Sequence, residues 1–141
     1  LALAQIRAVF QRLSQTDVAL IGIGTLENSV FVDRGVLSAD DLRKLAACGA
    51  VGEICGRFFD KHGRECDSPW RDRVISIELE QLRRAPQVIG MIAGADRAPA
   101  IKAAVKGNLL KSLIIDVPGA LTLLGNQPSG AVANPKSKSS K

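Results

Sequence analysis

The sequence predicts an α/β protein whose core is a parallel sheet covered by helices on both faces. Two observations carry that expectation. Apolar runs of strand length alternate along the chain with stretches of helical periodicity. Several of those runs are apolar at successive positions rather than at alternate ones, which is how strands buried on both faces read. The chain has 141 residues, enough for one domain with a real core or for half of a larger one. It opens at Leu1 inside a helical pattern, so the expectation is a fragment.

The first element spans Leu1 to Leu13, where Leu3, Ile6, Val9, Phe10 and Leu13 recur at the spacing of one helical face. Asp17 to Gly22 reads as a buried strand. Ser38-Ala-Asp-Asp41 resembles a capping box with Asp in place of Glu, and it opens a helix that runs to about Ala47 and stops at Gly49. Val51 to Phe59 reads as a strand, followed by a turn at Asp60-Lys-His-Gly63. After the β-branched run Val74 to Ile77 comes a helix from Glu78 to Arg84, closed by Pro86. Gln87 to Ala93 is a buried strand, and Arg97 to Lys106 a helix stopped by Gly107. Ser112 to Asp116 is the last strand, and Pro118 starts a short helix ending near Leu124. From Asn126 the composition turns to Pro, Ser, Gly, Asn and Lys, the pattern of a disordered tail over residues 126–141.

Composition excludes several classes. With no Tyr, one Trp and four Phe, a base-stacking surface is improbable. The net charge of +5 owes much to Lys136, Lys138 and Lys141 at the tail, so the body carries no nucleic-acid footprint. No apolar run approaches the roughly 20 residues that span a bilayer. Cys48, Cys55 and Cys66 show no metal-ligand spacing, and His62 is the sole histidine, so neither a zinc site nor a disulfide framework is expected. The thiols read as reduced and cytosolic, with Cys48 and Cys55 packed.

In an open parallel sheet, ligands bind beyond the carboxyl ends of the strands. Four strand ends carry chemistry: Gly22-Ile-Gly24-Thr25, Glu53, Gly94-Ala-Asp-Arg97, and Asp116. Each has a plainer reading. The glycines serve a dinucleotide, a phosphate or only a tight bend, and the third glycine of a dinucleotide fingerprint is missing. Asp116 could simply cap the last helix. Arg97 at a helix start opposes the macrodipole unless something anionic compensates. Glu53, between Gly52 and Ile54, either has a partner or faces a cavity. Arg71, Arg73, Arg83 and Arg84 read as solvated charge, Arg73 the least clearly because it abuts a strand. Backbone amides, a hydroxyl, two carboxylates and a guanidinium together suit a polyhydroxylated anion. No Ser-His-Asp set and no credible nucleophile appears, so catalysis finds little support.

Two long stretches carry a resemblance: GIGTLENSVFVDRGVLSADDLRKLAACGAVGEICGRFFDKHG and RVISIELEQLRRAPQVIGMIAGADRAPAIKAAVKGNLLKSLIIDVPGALTLL. Over roughly residues 17 to 124 the chain resembles the C-terminal half of the sugar-binding effector domain of SorC/DeoR-type bacterial transcriptional regulators. The order and wording of GIG, GAVGEICGRFFD, RVISI-LEQLR and AIKAAVKG carry the match as a set. The resemblance implies a Rossmann-like three-layer fold shared with ribose-5-phosphate isomerase and glucosamine-6-phosphate deaminase, and a partial effector domain over residues 1–125. It implies a cytoplasmic homo-oligomer that senses a phosphorylated sugar, needs no cofactor or metal, and binds operator DNA through a helix-turn-helix module absent from this chain. It assigns Glu53 to the acidic position after GAVG that contacts the effector. Arg97 falls at a basic position, usually Lys after Gly-Gly, that meets phosphate, and Arg34 in a region that supplies another basic contact in some members. With Gly22, Gly24, Thr25 and Asp116 these make the candidate ligand set.

The chain departs from the pattern in places. Gly-Gly reads Gly94-Ala95, the basic residue is Arg, and the Thr-Asp-Glu near the end reads Ile115-Asp116-Val117. A fragment of a sugar-phosphate isomerase or deaminase on the same fold is the competing expectation. It would need Glu53 or Asp116 as its acid–base residue.

Overall fold

The computed structural model describes residues 4–125, and the expected tail from Asn126 lies outside the described residues. Helix α1 (Ala4–Leu13) leads into strand β1 (Val18–Ile21). A single turn, α2 (Val30–Asp33), and helix α3 (Ala39–Ala47) precede strands β2 (Ala50–Ile54) and β3 (Arg57–Asp60). Then come α4 (Leu79–Arg84), β4 (Gln87–Ile92), α5 (Ala98–Lys106), β5 (Ser112–Ile115) and α6 (Val117–Leu123). Most sequence boundaries hold within two residues, but Val74 to Ile77 forms no strand.

β1, β4 and β5 form a parallel sheet in the order β1-β4-β5, with Ile21 opposite Gly90 and Ile92 opposite Ile115. Its inner face is packed by α4 and α5: Leu79, Leu82, Ile101 and Ala104 close over Ile21, Val88 and Ile92. The expected cover on both faces is not found among the described residues. The opposite face presents Val18, Leu20, Met91 and Ile114, each more than half exposed, and α1 buries none of its residues. The strands are indeed apolar on both sides, so the sequence pattern reports a demand for cover that this chain's described elements meet on one side only.

The segment read as one strand, Val51 to Phe59, is a hairpin. β2 and β3 pair antiparallel in a sheet of their own. The turn residues Cys55 (φ 53°) and Gly56 (φ 84°) are both left-handed, as a two-residue type I′ hairpin requires. Cys-Gly between apolar residues carries little of the usual Asn-Gly signal, which is why the turn does not show in the sequence. Gly52 lets this hairpin meet α5, since a Cβ there would stand 2.8 Å from that of Ala100 and 2.5 Å from the Phe59 ring.

Ser38 and Asp41 form the expected capping box, the serine hydroxyl accepting from the Asp41 amide at 3.1 Å and the carboxylate accepting from the Ser38 amide at 3.0 Å. Asp41 also accepts from Arg73 at 3.0 Å, whose guanidinium lies 4.9 Å above the Trp70 ring. Arg73 is therefore not merely solvated charge. Nor is Arg83, which donates to the carbonyls of Gly107 at 2.9 Å and Gly63 at 2.5 Å. Arg57, overlooked in the sequence, is buried and donates to Glu65 at 2.7 Å, Glu78 at 3.3 Å and the Ile77 carbonyl at 2.9 Å. The cysteine expectation also reverses: Cys48 and Cys55 are exposed, while Cys66 is buried, and burial pushes its thiol up to about 12.

The Ser38 hydroxyl and amide, and then Arg73, hold the Asp41 carboxyl at about 2, below its ordinary 3.8. The stability it contributes is complete above the ordinary value and is lost as pH falls from about 4 towards 2. Melting curves across that range should therefore flatten in Asp41→Asn; an unchanged acid limb would show that the capping box carries no linkage. Leu82→Ala, in the covered core, should destabilise by about 2–5 kcal/mol in urea titrations. Ile114→Ala on the open face should change stability by only about 0.5 kcal/mol. Equal losses at the two sites would mean that the open face is covered after all.

Candidate functional site

A cleft of about 370 Å³ opens where the chain leaves the adjacent strands β1 and β4. Gly22, Gly24, Asn28, Glu53, Cys55 and Arg97 line it, with Leu20 and Val30 on its apolar side. Four residues predicted from the sequence thus meet in one place. Glu53 arrives from the hairpin rather than from the carboxyl end of a parallel strand, which corrects the expected route but not the destination.

The floor of the cleft is a two-bond ladder. The Gly24 amide donates to the Glu53 carbonyl and the Glu53 amide to the Gly24 carbonyl, both at 2.9 Å. The Glu53 carboxylate is buried and accepts from the Ser29 hydroxyl at 3.3 Å and the Gly56 amide at 2.5 Å. Both alternatives read from the sequence hold, because the carboxylate has partners and also borders a cavity. The two glycines differ. A Cβ on Gly24 would stand 2.9 Å from Glu53 Oε2, whereas one on Gly22 would meet nothing within 4 Å. Gly24 is fixed by close approach, and Gly22 leaves open space above its backbone.

Arg97 reaches the cleft through a special backbone. Gly94 sits at φ 106°, and a 3-10 turn over Ala95–Arg97 delivers Arg97 to the N-cap of α5. Its guanidinium turns back and donates to the Ala93 carbonyl, away from the helix amides that would repel it. Beside it, the Asp96 carboxylate, which does not itself line the cleft, accepts from the Asn28 side-chain amide. Cys55 is exposed at the hairpin turn and lines the cleft, and desolvation raises its thiol pKa, with the Glu53 charge adding to the rise.

The remaining predicted residues stand outside the cleft. Asp116 caps α6 by accepting from the Gly119 amide at 3.1 Å, and it also accepts from the Gly94 amide at 3.1 and 3.2 Å. It thereby fixes the turn that positions Arg97. The Thr25 hydroxyl accepts from the Asn28 amide at 3.1 Å and shapes the loop above the cleft. Arg34 follows α2, where its backbone amide caps the turn, and it does not line the cleft. Sequence reasoning missed Asn28, Ser29 and Asp96. Only Ser29 had a local signal, as the N-cap ahead of Val30, accepting from the Phe31 amide at 3.2 Å. Among the described residues no group of His, Cys, Asp and Glu stands where it could hold a metal ion.

With this geometry in place, the comparisons with known proteins give its class. Residues 1–125 match the Sugar-bind family, described as a sugar-binding domain, and the chain belongs to that family. Among curated proteins it is similar to the deoxyribonucleoside regulator of Bacillus subtilis (strain 168), at 31% identity over 86% of this chain and 39% of the relative. It is also similar to the erythritol catabolism regulatory protein EryD of Brucella abortus (strain 2308), at 28% identity over 92% of this chain and 41% of the relative. Of solved structures, a DeoR family transcriptional regulator from Listeria monocytogenes superposes with a TM-score of 0.82 at 26% identity, over 86% of this chain and 50% of that one. A transcriptional regulator from Streptococcus pneumoniae TIGR4 gives 0.78 at 31% identity, over 87% and 47%. The resemblance to SorC/DeoR-type regulators read from the sequence holds. The chain spans about two fifths of the length of these curated relatives and about half of the solved chains.

The close approach at Gly24 is open to a direct check. Gly24→Ala should lower stability by about 1–3 kcal/mol, because the new methyl meets a carboxylate that is itself pinned. Gly22→Ala should leave the unfolding midpoint unchanged. Two equally tolerated substitutions would remove the steric argument.

Proposed function

We propose that this chain is the effector-binding part of a bacterial regulator of sugar catabolism, and that its cleft takes a phosphorylated sugar. The observation that carries the reading is the meeting of Gly22, Gly24, Glu53 and Arg97 at one cleft between adjacent parallel strands. Arg97 donates to a backbone carbonyl, and a phosphate oxygen is a stronger acceptor for the same guanidinium. The open backbone at Gly22 lets a ligand approach closely. Acceptor oxygens on Glu53 suit sugar hydroxyls, and Leu20 and Val30 suit the carbon side of a sugar.

On this reading the sheet belongs to the Rossmann-like fold shared with ribose-5-phosphate isomerase and glucosamine-6-phosphate deaminase. The output passes to operator DNA through a helix-turn-helix module outside this chain, in a cytoplasmic homo-oligomer. Among the described residues no helix is long and apolar enough to cross a membrane. Binding without turnover is favoured over an isomerase fragment by the state of the two carboxylates considered for acid–base work. Glu53 holds Ser29 and Gly56, and Asp116 holds Gly94 and Gly119, so each is committed to structure.

Arg97→Ala should weaken a phosphorylated sugar by about 2–3 kcal/mol in calorimetric titration, because a charge-assisted contact to a dianion is lost. The unphosphorylated sugar should bind as before, and the melting temperature should hold. A folded Arg97→Ala protein that binds the phosphorylated sugar as tightly as wild type would rule out the phosphate role.

A further inference from the structure

Two of the three cysteines take no part in the cleft and meet at a separate hollow of about 430 Å³, which Cys48 and Cys66 line with Asp60, Arg64 and Asp67. They stand 18 residues apart in sequence, and backbone hydrogen bonds bring them together. Cys48 caps the C-terminus of α3, its amide donating to the Lys44 carbonyl at 3.0 Å. Cys66 lies on a short segment that pairs with β3, its amide donating to the Phe58 carbonyl at 2.8 Å. Each sulfur reaches the other's segment. The Cys48 thiol donates to the Asp67 carbonyl at 3.0 Å, and the Cys66 thiol faces the Cys48 carbonyl oxygen at 4.0 Å. The two differ in access: Cys48 is exposed, whereas Cys66 is buried in the cluster of Leu45, Phe58 and Trp70.

We propose that Cys48 and Cys66 are a peroxide-sensitive pair that closes to an intramolecular disulfide and fastens the end of α3 to the segment after β3. Exposure sets the two roles. Cys48 is the thiol that a peroxide can reach. Its sulfur attacks one peroxide oxygen and the O–O bond breaks. A sulfenic acid forms, and the departing hydroxide takes the thiol proton and leaves as water. The Cys66 sulfur then attacks the Cys48 sulfur. The S–S bond forms, the S–O bond breaks, and the Cys66 proton leaves with that oxygen as a second water. Two thiols lose two electrons, and one peroxide is reduced to two waters. Burial, and then the charges of Cys48, Asp60 and Glu65, push the Cys66 thiol up to about 12, so Cys66 does not compete for peroxide and serves as the resolving partner. To close the bridge, the Cys48 sulfur leaves the Asp67 carbonyl and turns to Cys66, a side-chain rotation at an exposed residue. The bridge clamps both sides of the hairpin that carries Glu53, because Cys48 precedes β2 and Cys66 pairs with β3.

The test adds excess hydrogen peroxide to the folded 141-residue chain, alkylates the remaining thiols and reads tryptic peptides by mass spectrometry. Cleavage after Lys44, Arg57, Arg64 and Arg71 places Cys48 and Cys55 on peptide 45–57 and Cys66 on peptide 65–71. The two peptides should be joined through Cys48, with Cys55 outside the bridge, and dithiothreitol should separate them. Cys55→Ser should bridge as wild type does. Cys48→Ser should lose the bridge, and Cys66→Ser should leave Cys48 as a sulfenic acid that dimedone traps. Bridged protein should run as a single chain on a non-reducing gel. Its melting midpoint should lie several degrees above that of the reduced protein, because the cross-link restricts the unfolded chain. Unbridged Cys48 and Cys66 after the treatment, a bridge through Cys55, or a covalent dimer would overturn the pair. So would a bridge that forms only in urea, or one that lowers the melting midpoint, since the folded chain would then not hold the two sulfurs ready to join.

Discussion

The geometry of the cleft depends on one buried carboxylate. Glu53 sits on an antiparallel hairpin, while the glycines it meets leave a separate, parallel sheet. Backbone pairing between Gly24 and Glu53 joins the two sheets, and the carboxylate extends the joint to Ser29 and to the hairpin turn at Gly56. A buried carboxylate is tolerated only where it has hydrogen-bond donors, and here those donors come from two different segments, the loop after β1 and the hairpin turn. Gly24 is excluded from carrying a side chain by the same carboxylate. The loop after β1, the hairpin turn and the cleft floor are thus consequences of one residue's need for partners.

A second constraint fixes the opposite wall. Asp116 caps α6 and also receives the amide of Gly94, so the end of β5 sets the backbone that presents Asp96 and Arg97. This explains why Asp116 stands in the pattern while its neighbours depart from it. Ile115 packs against the core, and Val117 is exposed away from the cleft. Replacing a hydroxyl and a carboxylate at those two positions leaves the described cleft intact. The part of Asp116 in recognition is indirect, through the turn it holds.

Helices and parallel strands were legible because their signals are local. A capping box, a Pro in a first turn, a Gly after a last turn and a continuous apolar run of strand length each report on neighbouring backbone. The hairpin escaped because its turn is Cys-Gly, set within continuous apolar sequence. Arg73 and Arg83 read as surface charge, and Arg57 escaped notice, because the contacts that hold them are to distant side chains or to backbone carbonyls, and no sequence pattern reports those. The site was half legible for the same reason. Glycines, Glu53 and Arg97 stand out by type and position, whereas Asn28 and Asp96 acquire meaning only when the loops after β1 and β4 are brought side by side. The open face of the sheet is the reverse case, in which the sequence announced a buried surface that the described residues leave uncovered.

The central claim is that a sugar ligand enters between the ends of β1 and β4, above the Gly24–Glu53 ladder. Mapping backbone amide shifts by NMR while a sugar phosphate is added tests this most directly. The account predicts changes clustered at Gly22 to Val30, at Glu53 to Gly56 and at Gly94 to Arg97, with the opposite end of the sheet around Gln87 and Lys111 unmoved. Shifts centred on the open face of the sheet or on that opposite end, with the Gly24 and Glu53 amides silent, would contradict it.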